Sequence, residues 1–133
     1  MKALVIDDNP SVRLFVERVL REAGYETATA RDGVAAQQHV LKDGAPDLVV
    51  TDESMPRMSG LEFARWVRQS FPSVKVLFLT GYIDHVARNS ADAWVNEGYL
   101  EKPCTVRGLL QAISLLMFRR LEPPANALNA PAS

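Results

Sequence analysis

Short apolar segments alternate with longer amphipathic segments along most of the chain. The apolar segments have the length and β-branched content of buried strands, and they cover residues 2–6, 25–30, 47–52, 74–79 and, more weakly, 99–100. Between them, apolar residues recur at spacings of three and four, which is typical of helices with one buried face. This pattern predicts helices over residues 10–23, 33–43, 59–70, 84–93 and 105–117.

Capping residues mark where several of these helices begin and end. Asn9 and Pro10 supply a cap and a first-turn proline for the first helix, which should stop at Gly24. Ser59 and Glu62 have the spacing of a capping box. The second and last helices should begin after Asp32 and Thr105.

Regular alternation of strands and helices predicts a parallel sheet covered on both faces, with right-handed crossovers. Five such units favour a flavodoxin-like doubly wound α/β domain with five helices and strand order 2-1-3-4-5. We assign residues 1–121 to this single domain. Residues 122–133 are rich in Pro, Ala and Asn without apolar periodicity, and we predict a flexible C-terminal tail there.

Composition narrows the classes of function. The 133 residues are 47% apolar and 23% charged, with a net charge of -1 and a pI near 6.1, which gives no electrostatic reason to expect binding to nucleic acid or to an anionic membrane. We therefore expect no DNA-binding output domain.

One cysteine, Cys104, excludes an internal disulfide framework. The first apolar run ends at Asp7, too early for a signal peptide or membrane span, so we expect a cytoplasmic protein.

Polar residues follow four of the predicted strands. Asp7 and Asp8 follow the first strand, Asp52 ends the third, Thr80 follows the fourth, and Lys102 follows the fifth. Because the carboxyl ends of parallel strands share one edge of a sheet, these side chains should lie close together. Three clustered carboxylates repel one another and require a cation, and their hard oxygen atoms favour Mg²⁺ or Mn²⁺. With Lys102 nearby, this edge suits phosphoryl transfer, with Asp52 as the nucleophile.

These positions resemble the receiver domain of two-component response regulators over residues 2 to about 121. The matching features, in chain order, are Asp7-Asp8, Asp52, Met55-Pro56, Ser59-Gly60, Thr80-Gly81 and Tyr99-x-x-Lys102-Pro103. Residues 76–84 are similar to receivers of hybrid sensor kinases and of stand-alone response regulators. Cys104 departs from the family, which usually carries Phe at this position.

The resemblance implies a role for each matching residue. Asp52 would accept a phosphoryl group from a phosphohistidine of a sensor histidine kinase or a histidine phosphotransfer protein. The implied Mg²⁺ ligands are Asp8, Asp52 and the Ser54 carbonyl, with Asp7 acting through water. Thr80 and Lys102 would hold the phosphoryl oxygens, and Thr80 and Tyr99 would move together as a switch. The peptide bond between Lys102 and Pro103 is expected to be cis. The domain would be a signalling module that turns over only its own phosphoryl group.

Two other functions remain open from the residues. Magnesium-dependent phosphatases with an Asp nucleophile resemble a D-x-D pattern, but the second acid is replaced here by Ser54. A phosphorylation-independent interaction domain would be expected to lose an acidic-site residue, and none is lost.

The last helix carries more apolar residues than one buried stripe needs. We expect an inward face formed by Val106, Leu109, Leu110, Ile113, Leu116 and Met117. Leu115 and Phe118 should then point to the flanks or to solvent, with Trp94 close by. By resemblance, the face formed by the fourth helix, fifth strand and fifth helix would bind a partner or a second copy of the chain.

Overall fold

A computed structural model of the protein describes residues 1–53, 57–81 and 96–118, which form a five-stranded parallel sheet flanked by helices. The strands are β1 (Lys2–Ile6), β2 (Glu26–Ala30), β3 (Leu48–Asp52), β4 (Lys75–Thr80) and β5 (Glu97–Glu101). The helices are α1 (Pro10–Glu22), α2 (Gly33–Asp43), α3 (Gly60–Ser70) and α4 (Val106–Phe118). The sheet order is β2-β1-β3-β4-β5, which confirms the predicted doubly wound fold.

Parts of the prediction fall on the remaining residues. The predicted helix over residues 84–93 and the predicted tail over residues 122–133 lie outside the described residues, as do Ser54 and Trp94. The predicted fifth helix is therefore α4 here.

Two apolar clusters lie on opposite faces of the sheet. The cluster on the α2 and α3 side includes Leu4, Val49, Phe63 and Phe78, and the cluster on the α1 and α4 side includes Val5, Val50, Leu77 and Leu109. Neighbouring residues of one strand belong to opposite clusters because side chains alternate across a strand. Burial on both faces explains why β1 and β3 are continuous apolar runs rather than alternating ones.

The predicted capping interactions are present at several helix starts. The Asn9 side chain accepts the backbone N–H groups of Ser11 and Val12 at the start of α1. Ser59 and Glu62 form the complete capping box at the start of α3. Each cap supplies acceptors to N–H groups that have no partner within the helix, so it fixes the residue at which the helix begins.

The inward face of α4 is narrower than predicted. Leu109 and Ile113 are buried, and Leu110, Leu116 and Met117 pack against the same core. Val106 is 47% exposed, so its predicted inward position is wrong. It is the first residue of the helix and lies about one turn before Leu109, the first buried residue of the helix. Leu115 is 52% exposed, as predicted.

Within the three described ranges, none of the helices combines the length and the apolar character that crossing a bilayer would require.

Candidate functional site

Three carboxylates converge at the carboxyl edge of the sheet. Asp7 and Asp8 directly follow β1, and Asp52 is the last residue of the neighbouring strand β3. One carboxylate oxygen of each residue lies within 4.8 Å of one oxygen of each of the other two. Asp7 is buried, Asp52 is half-buried and Asp8 is exposed, so exposure to solvent increases from Asp7 through Asp52 to Asp8. The predicted grouping of these three acids is therefore correct.

Asp7 is held by both its main chain and its side chain. Its N–H donates to the Ala30 carbonyl at 3.1 Å, which extends the pairing of β1 with β2 by one residue. Arg13 of α1 donates from Nη1 to the Asp7 carbonyl at 2.7 Å, and the Asn9 N–H donates to Asp7 Oδ1 at 2.9 Å. The Asn9 N–H compensates in part for the loss of hydration of a carboxylate with only 2% of its side chain exposed, and the main-chain contacts fix its position.

Lys102 joins two of the acids. Its Nζ lies 3.3 Å from Asp7 Oδ2 and 3.4 Å from Asp52 Oδ1. The Lys102 N–H donates to the Thr80 carbonyl at 2.7 Å, which fixes the residue beside the end of β4. The following bond to Pro103 is cis, as the resemblance implied.

The charge of Lys102 is maintained by these carboxylates. Partial burial lowers the pKa of Lys102, but Asp7 and Asp52 raise it by more, so the pKa lies above its ordinary value. With Lys102 protonated and the three acids ionised, the cluster carries a net charge of -2. An uncompensated negative charge of this size attracts a divalent cation to the edge of the sheet.

The donor set fits a hard divalent ion. The three carboxylates offer only oxygen ligands, and one oxygen of each lies within 4.8 Å of the others, a spacing at which the three could hold one metal ion. Among the described residues no His or Cys joins this cluster, which favours Mg²⁺ or Mn²⁺ over a softer metal. The fourth predicted ligand, the Ser54 carbonyl, lies outside the described residues.

The main chain around Asp52 is tightly enclosed by the start of α3. The Gly60 N–H donates to the Glu53 carbonyl at 2.9 Å, and this brings the first residue of α3 against the end of β3. A Cβ added to Gly60 would lie far inside the contact distance of the Asp52 carbonyl oxygen and 3.1 Å from Thr51 Oγ1. Position 60 therefore requires glycine for steric reasons, which was not deduced from the sequence pattern.

Thr80 and Tyr99 lie on the neighbouring strands β4 and β5. Thr80 is buried at the end of β4, one position past Leu79, which pairs with Asp52. Tyr99 is half-buried on β5, and its ring stacks on Phe78 with a centroid separation of 5.2 Å and an interplanar angle of 16°. Both residues lie where the prediction placed them, and their switch role remains a prediction.

The Tyr99 hydroxyl contacts a charged group that the sequence did not indicate. It donates to Glu97 Oε1 at 3.3 Å, and Glu97 Oε2 lies 3.7 Å from Arg68 Nη1 of α3. The Glu97 side chain is only 8% exposed, so this carboxylate links β5 to α3 largely out of solvent.

Cys104 borders an open apolar cavity beside the site. The cavity, of about 460 Å³, lies between the start of α1 and the segment after β5, and it reaches Lys102, Val12 and Phe15. Burial raises the pKa of the Cys104 thiol above its ordinary value, so the thiol is less easily ionised than a free cysteine. The residue is therefore a small apolar side chain in this region rather than an activated nucleophile.

Comparison with known proteins agrees with the geometry. Residues 3–114 match the family model of the response regulator receiver domain. The chain is 38% identical over 125 residues to the response regulator MprA of Mycobacterium leprae, and 37% identical over 129 residues to MprA of Mycobacterium avium. These alignments cover 92% and 96% of this chain but 53% and 55% of the relatives, so the chain spans about half of their length.

Solved structures give the same result for the fold. The chemotaxis response regulator CheY4 of Vibrio cholerae superposes with a TM-score of 0.77 at 32% identity, over 86% of this chain and 97% of that chain. A response regulator receiver domain from Clostridium thermocellum superposes with a TM-score of 0.76 at 30% identity, over 89% and 94%.

Proposed function

The chain belongs to the response regulator receiver domain family, and we propose that it is a phosphoryl acceptor in cytoplasmic two-component signalling, modified at Asp52. The observation that carries the proposal is the meeting of three carboxylates within 4.8 Å beside a lysine that contacts two of them. The donor would be a phosphohistidine on a sensor histidine kinase or a histidine phosphotransfer protein.

The exposure of Asp52 supports its role as the acceptor. Its side chain is 16% exposed, whereas that of Asp7 is 2% exposed, so a donor can approach Asp52 more readily. An Asp52 carboxylate oxygen would attack phosphorus, forming an O–P bond as the donor's N–P bond breaks, and the electron pair of that bond would return to the imidazole nitrogen. Lys102 would compensate the charge on the transferred phosphoryl oxygens, and the Thr80 hydroxyl would donate to one of them.

Asp8 and Asp52, with the Ser54 carbonyl, would hold Mg²⁺ or Mn²⁺, and Asp7 would act through a water molecule. The ion, when bound, supplies positive charge that lowers the repulsion between the acidic site and the incoming phosphoryl group. Asp8 is the exposed member of the cluster and has no ion pair among the described residues, so its main contribution should be to the metal.

The variant Asp8→Ala should lose both metal binding and phosphorylation. Removing one of three carboxylates removes a direct ligand, and we expect Mg²⁺ affinity to fall by roughly tenfold or more. Without metal, the same variant should melt a few degrees higher, because repulsion within the cluster is relieved. Calorimetric titration with Mg²⁺ and thermal melting in EDTA measure the two effects. The control is Asp43→Ala, a carboxylate on α2 that is 54% exposed. Undiminished phosphorylation of Asp8→Ala would contradict the assignment.

Incubation with acetyl phosphate and Mg²⁺, followed by intact mass measurement, tests the function as a whole. We expect one added phosphoryl group per chain, lost again on standing, and faster transfer from a cognate phosphohistidine in a panel of kinases. Release of phosphate from small phosphate esters in many-fold excess over protein would favour a phosphatase. Absence of any label, with Mg²⁺ present, would favour an interaction domain that works without phosphorylation.

We further propose that phosphorylation alters a partner surface formed by β5 and α4, together with the predicted helix over residues 84–93. A cavity of about 190 Å³ between β5 and α4 is bordered by Tyr99, Leu115 and Leu116. The Tyr99 ring stacks on Phe78 on the α2 and α3 side of the sheet, so a change in Tyr99 would reach this apolar surface through the main chain of β5. Coupling between phosphorylation and binding is typically about 1–3 kcal/mol in systems of this kind.

Beryllofluoride, which mimics the phosphoryl group, should change either self-association or partner binding. We expect sedimentation velocity or kinase pull-down to differ between the free and the beryllofluoride-treated protein, and Phe118→Ser and Tyr99→Ala to reduce the difference. Leu41→Ser is the matched control, since Leu41 is 69% exposed on α2. A monomer in both states, with binding unchanged in both variants, would remove this surface from the mechanism.

A further inference from the structure

Residues 57–59, the segment directly before α3, are held against the start of α2. Arg57 has a φ of 71°, the only positive value at a non-glycine residue among those that the structure describes. A side chain in the left-handed region is sterically unfavourable, and Arg has no local hydrogen bond that favours it, unlike Asn or Asp. Contacts elsewhere must therefore hold Arg57 in this conformation.

One such contact is an ion pair with a buried carboxylate. Arg57 Nε lies 3.5 Å from Asp32 Oδ2, and the Asp32 side chain is only 7% exposed. The other oxygen, Asp32 Oδ1, accepts the Ala35 N–H at 2.8 Å and caps α2. Asp32 thus divides its two oxygens between the helix cap and the loop, and Arg57 is the cation that balances its charge in the described part of the chain.

The second contact is steric. A Cβ added to Gly33, the first residue of α2, would lie 2.7 Å from Met58 Cγ and 2.8 Å from the Met58 carbonyl oxygen. The main chain of the segment therefore rests directly on the first turn of α2. Two residues later, Gly60 donates its N–H to the Glu53 carbonyl, next to Asp52.

We infer that Arg57 is a positioning residue for the acidic site. The ion pair of Arg57 with Asp32 holds the segment against α2. The hydrogen bond between Gly60 and Glu53 joins the start of α3 to the end of β3. Movement of the segment would therefore displace Asp52 relative to Asp7 and Asp8. The expected effect of Arg57 on metal binding rests on the proposed function. The contacts of Arg57 and Met58 with the start of α2 are a property of the metal-free protein. Neither residue is expected to touch the metal or the phosphoryl group.

A double-mutant cycle measures the contribution of the ion pair between Arg57 and Asp32 separately from the effects of backbone conformation and helix capping. Arg57→Asn removes the cation but places a residue that tolerates positive φ, and Asp32→Asn removes the charge but retains a good helix cap. We expect each to weaken Mn²⁺ or Mg²⁺ binding by roughly three- to tenfold, and the double variant by no more than either one alone. Arg57→Lys should recover most of the affinity.

The matched control is Arg31→Asn, which makes the same charge change at an exposed residue next to Asp32. It should alter metal affinity by less than about twofold, because among the described residues the ion pair of Asp32 is with Arg57 and not with Arg31. Thermal melting of Arg57→Asn checks that the variant is fully folded at the temperature of the titration, so that a loss of affinity does not reflect unfolding. Amide exchange in metal-free protein should accelerate at residues 57–60 in Arg57→Asn and not in Arg31→Asn.

The outcomes distinguish the two proposals. Wild-type metal affinity in Arg57→Asn, or additive effects in the double variant, would overturn the positioning role while leaving the proposed function intact. If the wild-type protein binds no divalent cation, the proposed function is wrong. Amide exchange in the metal-free protein then becomes the test of whether Arg57 holds residues 57–60 in place. Unchanged exchange at residues 57–60 would then overturn the positioning role as well.

Discussion

Asp52→Asn is expected to lower the rate of phosphorylation by acetyl phosphate by at least about a thousandfold, because a neutral carboxamide replaces the attacking carboxylate. The neighbouring acids are poor substitutes. Asp7 has 2% of its side chain exposed and contacts Lys102, so a donor cannot reach it easily. Asp8 is exposed but is not held by Lys102, which pairs with Asp7 and Asp52.

Intact mass after a timed incubation with acetyl phosphate and Mg²⁺ measures this effect. Asp43→Asn on the surface of α2 makes the same chemical change outside the site and should be labelled at the wild-type rate. Metal titration of Asp52→Asn should show weakened but measurable binding if Asp8 remains a ligand. A variant that gains the same single label as wild type would show that Asp52 is not the acceptor.

Gly60→Ala is expected to lower the free energy of unfolding by about 3 kcal/mol, which is near the upper end for overpacked positions. The new methyl group would overlap the Asp52 carbonyl oxygen and lie 3.0 Å from the Asp52 carbonyl carbon. Those atoms belong to the main chain of β3, which is paired with β1 and β4 and cannot move away easily. The gain in helix propensity from glycine to alanine, about 1 kcal/mol, is too small to offset this overlap.

The overlap should also disturb the site, since any movement that relieves it displaces Asp52. We therefore expect slower phosphorylation per folded molecule, together with lower stability in urea denaturation. The control is Gly81→Ala, because a Cβ there would meet no atom of the described residues within 4 Å, and its stability should change by less than about 0.5 kcal/mol. If Gly60→Ala unfolds at the same urea concentration as wild type, the close approach of α3 to β3 is not rigid.

The fold could be predicted in most of its detail from local sequence signals. Apolar runs, helical periodicity and capping residues each depend on neighbours within a few positions, so the elements from β1 to β4 and α1 to α3 were located to within one or two residues. The strand order follows from the resemblance and from the connection rules of parallel sheets. Val106 was misplaced because periodicity gives the direction of a side chain around a helix but not where along the helix packing begins.

The candidate site could be predicted only as a set of residues. Strand ends were sufficient to group Asp7, Asp52 and Lys102, since the carboxyl ends of parallel strands meet at one edge. The ion pair of Glu97 with Arg68, and the buried position of the Glu97 carboxylate, had no sequence signal because Arg68 comes from a distant element.

The sequence by itself determined which residues form the elements, where the caps lie and which polar side chains follow the strands, because these depend on short-range periodicity and on backbone chemistry. Tertiary structure alone decided how closely those elements approach. The requirement for glycine at Gly60, the pairing of Asp32 with Arg57 and the bridging position of Lys102 each join residues from different elements. Distances between such residues are fixed by the packing of helices against the sheet, which no local pattern encodes.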